Sequence, residues 1–149
     1  MTSLFEAAGG ESGLRLLALA WHERVLADPV VGQAVARGVR SDQVDRIAAW
    51  WAESLGGPAL YSARFGAGME DVRLHPPDAA VDELNDRAVD CFADALDDAG
   101  LQDDEVLAEA LLDWFTWLTW TTLDPPREPV PRAAGGIPKW SWDGLAEWP

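Results

Sequence analysis

The 149-residue chain is 48% hydrophobic and 25% charged, ordinary globular composition at a length that can bury a core as one domain. Its 26 acids against 11 basic residues leave a net charge of −15, which is expected to repel nucleic acid and anionic membrane surfaces. There is no 18-residue apolar run for a membrane span, no basic signal-peptide start, and only Cys91 for sulfur pairing, so a reducing, cytoplasmic setting is expected.

In chain order, Ser3 and Glu6 have capping-box spacing and predict a helix of one or two turns ending near Gly9-Gly10. A longer helix over about 12–27 places Leu14, Leu17, Ala18, Trp21 and Val25 on one face, with His22 at its edge. Asp28-Pro29 reads as an N-cap with proline in the first turn, opening a short helix to Val35 that Gly38 breaks. Ser41 or Asp42 can cap the next helix, about 43–55, which lines Val44, Ile47, Ala48, Trp51 and Leu55 along one side with Trp50 beside them. Gly56-Gly57-Pro58 stops it, since glycine supplies a left-handed cap and proline cannot extend the ladder. Tyr61 follows in a short aromatic segment. Residues 63–71 then read as a glycine-bearing loop, and a brief helical turn leads into His75, where Pro76-Pro77 forces a break.

Two long helices complete the pattern. One spans about 78–99 with Val81, Leu84, Ala88, Cys91, Phe92 and Ala95 inward; the other spans about 103–123 with Val106, Ala110, Leu111, Trp114, Trp117, Leu118 and Thr121 inward. Past Pro125-Pro126 the chain turns rich in proline, glycine and tryptophan. Residues 1–124 are therefore expected to form the domain, and 125–149 an extension that packs back on it. No segment alternates with period two for long enough to be a strand, so the expected class is all-α.

Several chemistries find no support. One cysteine and two widely spaced histidines do not make a structural zinc site, and the zincin-like start at His22-Glu23 fails at Leu26. There is no nucleophile elbow and no phosphate-cradling glycine loop. The acidic runs at 97–98 and 103–105 lack calcium-loop spacing and read as a solvated turn. No spacing pairs Cys91 with a histidine, so Cys91 reads as core filling. His75 is different. The prolines end its turn, so nearby carbonyls lack ladder partners and can orient its imidazole, leaving the other ring nitrogen free as a metal ligand. The competing reading is a surface or capping histidine.

The segments LFEAAGG at 4–10, ERVLADPV at 23–30, AAWWAESLGGPALYS at 48–62, RLH at 73–75, LLDWFTWLTW at 111–120 and IPKWSW at 137–142 together resemble group II truncated hemoglobins of the actinobacterial type. The resemblance implies a two-over-two helical sandwich around heme, with His75 as the proximal iron ligand. It implies that Ile47, Trp50, Trp51 and Leu55 line the distal and peripheral pocket, and that Arg46 and Tyr61 approach the heme propionates. The chain departs from the family pattern at four places. His22 stands where a tyrosine is usual on the second helix, and Val35 and Ala36 where a large aromatic is usual. Ala88 replaces a tryptophan, and Val81 is the nearest apolar residue after the proximal histidine.

Ala88 in place of tryptophan opens space on the order of 100 Å³. That space could admit a larger substrate, let His22 ligate iron opposite His75, or collapse with loss of heme. The implied function is a heme protein that binds a diatomic gas, oxygen or nitric oxide, or performs heme redox chemistry, with His22 donating a hydrogen bond on the distal side. The alternatives are a heme-free globin-like binding or interaction module, and an enzyme that uses His22 as acid or base on an organic substrate. Any self-assembly is expected to be a homodimer.

Overall fold

The computed structural model describes residues 2–32, 41–66, 81–122 and 136–147. Helix α1 spans Leu4–Ala7, α2 Gly10–Ala27, α3 Gln43–Ser54, α4 Leu60–Phe65, α5 Val81–Asp98 and α6 Glu105–Thr122; strands β1 Lys139–Ser141 and β2 Gly144–Glu147 follow. Helices α2 and α3 pack together, α5 and α6 pack together, and α2 crosses onto α5, which gives the expected all-α, two-over-two arrangement.

Capping sets the ends of these helices. The Ser3 hydroxyl accepts the Glu6 amide at 3.2 Å, as the capping-box spacing requires, and the Phe5 amide donates to the Leu55 carbonyl at 2.9 Å, tying α1 to the end of α3. Gly9, at φ +100°, lets the chain turn directly into α2, which starts at Gly10 rather than near residue 12. Gly57 is needed for a different reason. A Cβ there would lie 2.7 Å from the Ala52 carbonyl oxygen and from the Phe5 ring, so only glycine lets α1 close on the α3 stop.

The core is aromatic. Trp51 sits 5.6 to 5.9 Å, centroid to centroid, from Trp21, Phe92, Trp114 and Phe115 in edge-on contacts. Phe92 and Phe115 stack at 4.2 Å and 5°. Each such pair contributes about 0.5–1.5 kcal/mol beyond the area it buries, so one cluster holds α2, α3, α5 and α6 together.

The structure corrects three sequence expectations. Val106 is 69% exposed. The Asp104 carboxylate caps α6 by accepting the Leu107 amide at 3.2 Å, and the inward stripe is Leu107, Leu111, Trp114, Phe115 and Leu118, which turns Val106 outward by one 100° step. The segment expected as loop from residue 63 is helical through Phe65 and ends at Gly66, φ +88°. Finally, the tail contains a small antiparallel hairpin pairing Trp140 with Leu145 and Ser141 with Gly144. Its turn uses Gly144 at φ +109° and a 3.2 Å bond from the Asp143 amide to the Ser141 hydroxyl. Strands of three and four residues are too short to show alternation.

The hairpin is seated on the helices at several points. Ile137 is buried, and the Trp140 ring lies 4.9 Å from Trp117. The Trp142 indole donates to the Thr2 carbonyl at 2.7 Å.

Candidate functional site

Two helices carry the unusual chemistry. On α2, the Trp21 indole reaches α5 and donates to the Ala88 carbonyl at 3.2 Å, which joins the two helices at this point. The crossing is fixed on both sides by ion pairs. Arg24 holds Asp98 through two bonds of 2.5 and 2.8 Å and approaches Asp94 at 3.5 Å, while Arg87 on α5 reaches Asp28 at 3.4 Å. Asp28 also accepts the Val30 and Val31 amides at 2.8 and 3.0 Å, the N-cap its sequence position predicts. Burial alone would raise the Asp28 carboxyl, but those amides and Arg87 hold it below its ordinary value.

His22 follows Trp21, and Asn85 precedes Ala88 by almost one turn. Both are buried, at 8% and 3% exposure. Among the described residues, His22 Nε2 and Asn85 Oδ1 are the buried side-chain atoms without a hydrogen-bond partner. Burial lowers the His22 pKa, with Glu23 opposing in part, so the imidazole is neutral at pH 7. The edge-of-face position read from the periodicity is the position observed.

On α3, Ile47, Trp50, Trp51 and Leu55 are all buried, with Trp51 at the centre of the aromatic cluster. Arg46 and Tyr61 are brought together around Phe65. The Arg46 guanidinium lies 4.3 Å from that ring and bonds Asp42 at 3.0 Å, and the buried Tyr61 ring is 5.4 Å from it. His75, Val35 and Ala36 lie outside the described residues, and so does the Val81 side chain. Cys91 is buried at 7% exposure, and burial, then Asp28 and Asp94, push its thiol up to about 11. It stays protonated and is no nucleophile at neutral pH. No cluster of His, Cys, Asp and Glu among the described residues is arranged to hold a metal ion.

Two residues were missed by the sequence reading. Glu53, at 4% exposure, accepts the Ser62 amide at 2.8 Å, the Ser62 hydroxyl at 2.5 Å and the Lys139 ammonium at 3.3 Å. Lys139 is the one lysine of the chain, and that was the available signal. Asn85 could have been found as a polar residue in the apolar stripe of Leu84, Ala88 and Phe92. A surface cleft of about 280 Å³ between α2, α3 and α4 has charged walls that pair with each other, Arg15 with Asp45 at 2.8 Å and Arg64 with Glu11 at 3.8 Å.

Residues 3–122 match the model of the bacterial-like globin family. No curated protein matches the chain. Among solved structures the chain is similar to a thermostable hemoglobin from the actinobacterium Thermobifida fusca, at 26% identity over 78% of this chain and 92% of that one, with a TM-score of 0.62. It is similar also to a truncated oxygen-avid hemoglobin from Bacillus subtilis, at 24% identity over 77% and 93% of the two chains, TM-score 0.62. A group II truncated hemoglobin from Bacillus anthracis aligns at 20% identity over 78% and 86%, TM-score 0.63. The chain belongs to the bacterial-like globin family and has the fold of the group II truncated hemoglobins.

Proposed function

We propose that the protein is a heme-binding globin, its iron held by His75, that takes oxygen or nitric oxide or carries out heme redox chemistry. The observation that supports this reading is the buried His22 with its Nε2 unpartnered. A buried polar atom without a partner costs about 1–3 kcal/mol, and a protein keeps one where something other than its own side chains completes the bond. The residues present suit heme: Ile47, Trp50, Leu55 and Ala88 are buried and apolar, and His22 on the adjoining helix α2 is buried and polar.

In this reading heme supplies an iron centre that binds diatomic ligands and exchanges electrons. His22, in the tautomer with its proton on Nε2, donates one hydrogen bond to the ligand. Its depressed pKa keeps it neutral, so no second positive charge enters the pocket at pH 7. Arg46, held by Asp42 and Phe65, and Tyr61 would be the residues to hold the cofactor's carboxylates, for which a guanidinium and a hydroxyl are suitable partners.

Titration of the purified protein with hemin, followed by its Soret band, tests the proposal. One heme per chain is expected, with the band lost or strongly shifted in His75→Ala. Folded protein that takes up no stoichiometric heme removes the reading. For His22→Ala we expect faster ligand dissociation; an unchanged spectrum and off-rate would take His22 out of it.

A further inference from the structure

We propose that the surface cleft between α2, α3 and α4 binds a small zwitterion with an apolar side chain. A free α-amino acid such as leucine is of this class. The inference goes beyond the heme reading and does not rest on it.

Shape is the first support. The cleft encloses about 280 Å³, just below the range of pockets that hold drug-sized ligands, so its occupant is small. Its floor is apolar: Ala48 and Ala49 of α3 are buried, with Leu60 and Phe65 of α4 partly buried beside them. Alanine at both 48 and 49 leaves room that longer side chains there would take.

Charge is the second. Each acid on the rim has an arginine beside it. Arg15 of α2 meets Asp45 of α3 at 2.8 Å, and Arg64 of α4 meets Glu11 of α2 at 3.8 Å. Asp42 is bonded to Arg46 at 3.0 Å, whose guanidinium lies over the Phe65 ring. Three acids and three arginines cancel here, on a chain whose net charge is −15. A rim of alternating sign matches a ligand that carries both charges better than a simple anion or cation.

The Arg64–Glu11 pair is the third. At 3.8 Å it is longer than a hydrogen bond, and with side chains 56% and 61% exposed it contributes little to stability. Both groups therefore keep hydrogen-bonding capacity for a ligand. The ammonium and carboxylate of an α-amino acid hang on one carbon, which suits two receptors so close together. The ammonium donates to Glu11, the carboxylate accepts from Arg64, and the side chain lies on Leu60 and Phe65.

Titration of the isotope-labelled full chain with L-leucine, followed by amide chemical shifts, tests the assignment. Saturable shifts are expected at the cleft residues, with a dissociation constant on the order of 1 mM for so small a ligand. Arg64→Gln and Glu11→Gln alter exposed side chains, and each should weaken binding about tenfold through loss of a charge-assisted bond. Isocaproate lacks the ammonium, isoamylamine lacks the carboxylate and glycine lacks the side chain. Each should bind at least about tenfold more weakly than leucine.

Absence of saturable cleft shifts up to about 50 mM leucine overturns the proposal, since that concentration would fill a site of the expected affinity. Isocaproate or isoamylamine binding as tightly as leucine overturns it as well, because one charge would then suffice. Unchanged affinity in both variants does the same. The ligand series uses the unaltered protein, so it decides the matter whether or not a variant folds. None of these readouts requires heme, so failure of the heme reading and failure of this one are separate results.

Discussion

At the end of α3, Glu53 is shut off from water at 4% exposure, and its carboxylate is bonded by the Ser62 amide, the Ser62 hydroxyl and the Lys139 ammonium. On α2 and α5, His22 and Asn85 are buried to a similar degree, and each has an atom without a hydrogen-bond partner among the described residues. The difference teaches which of these regions is finished within the chain. Glu53 joins three pieces far apart in sequence, α3, α4 and the hairpin. His22 and Asn85 each keep a buried polar atom that no group among the described residues bonds.

The largest effect on this comparison should come from Glu53→Ala. It strands the Ser62 donors, leaves a cavity and frees the hairpin from α3, at about 2–3 kcal/mol in urea denaturation, below the full value for a broken buried pair because Lys139 is a third exposed. Lys139→Met should cost less, about 1–2 kcal/mol, since Ser62 still holds the carboxylate. At the other region the sign reverses: His22→Leu should stabilise the heme-free protein by up to about 1 kcal/mol. A destabilising His22→Leu would mean that the imidazole is already satisfied and would dissolve the contrast.

Acid separates the two regions by pH window. His22 is lowered by burial, so below its unfolded value near 6.5 the unfolded chain binds the proton more readily than the folded one. Stability is then lost as pH falls from 6.5 towards the folded pKa. Burial works against the Glu53 charge, but the Ser62 bonds and Lys139 prevail and lower its pKa. Its contribution is present above 4.5 and is lost as pH falls below that. Stability curves of heme-free protein should therefore lose their upper acid limb in His22→Leu and weaken in their lower limb in Glu53→Gln. The smallest effect is expected for Trp142→Phe, which removes one exposed indole bond to Thr2 and should cost about 0.5 kcal/mol.

The helices were legible because their signals are local. Capping at Ser3 and Asp28, the stop at Gly56-Gly57-Pro58 and the stripe from Leu14 to Val25 all lie within a few residues of what they determine. Val106 was misplaced because apolar residues stand at both 106 and 107, either of which could begin a stripe that continues through Leu111, Trp114 and Leu118, and the first turn packs Leu107 inward. His22 and Ala88 could be singled out from sequence by resemblance, but the Trp21 indole that joins their helices could not, since its partner is 67 residues away. Glu53 was hidden for the same reason, with Ser62 nine positions on and Lys139 in the tail. The hairpin is too short to carry a period.

Cys91 gives the α2–α5 contact a timekeeper. It lies in the buried stripe of α5 between Ala88 and Phe92, near Asp28, Asp94 and Arg24 of the ion pairs that close the crossing. A thiol that is both protonated and covered reacts with an alkylating reagent only while the helices are apart. Its rate of modification, measured against a fully unfolded control, therefore reports how often that face opens. Any ligand that binds only the closed arrangement should slow the clock.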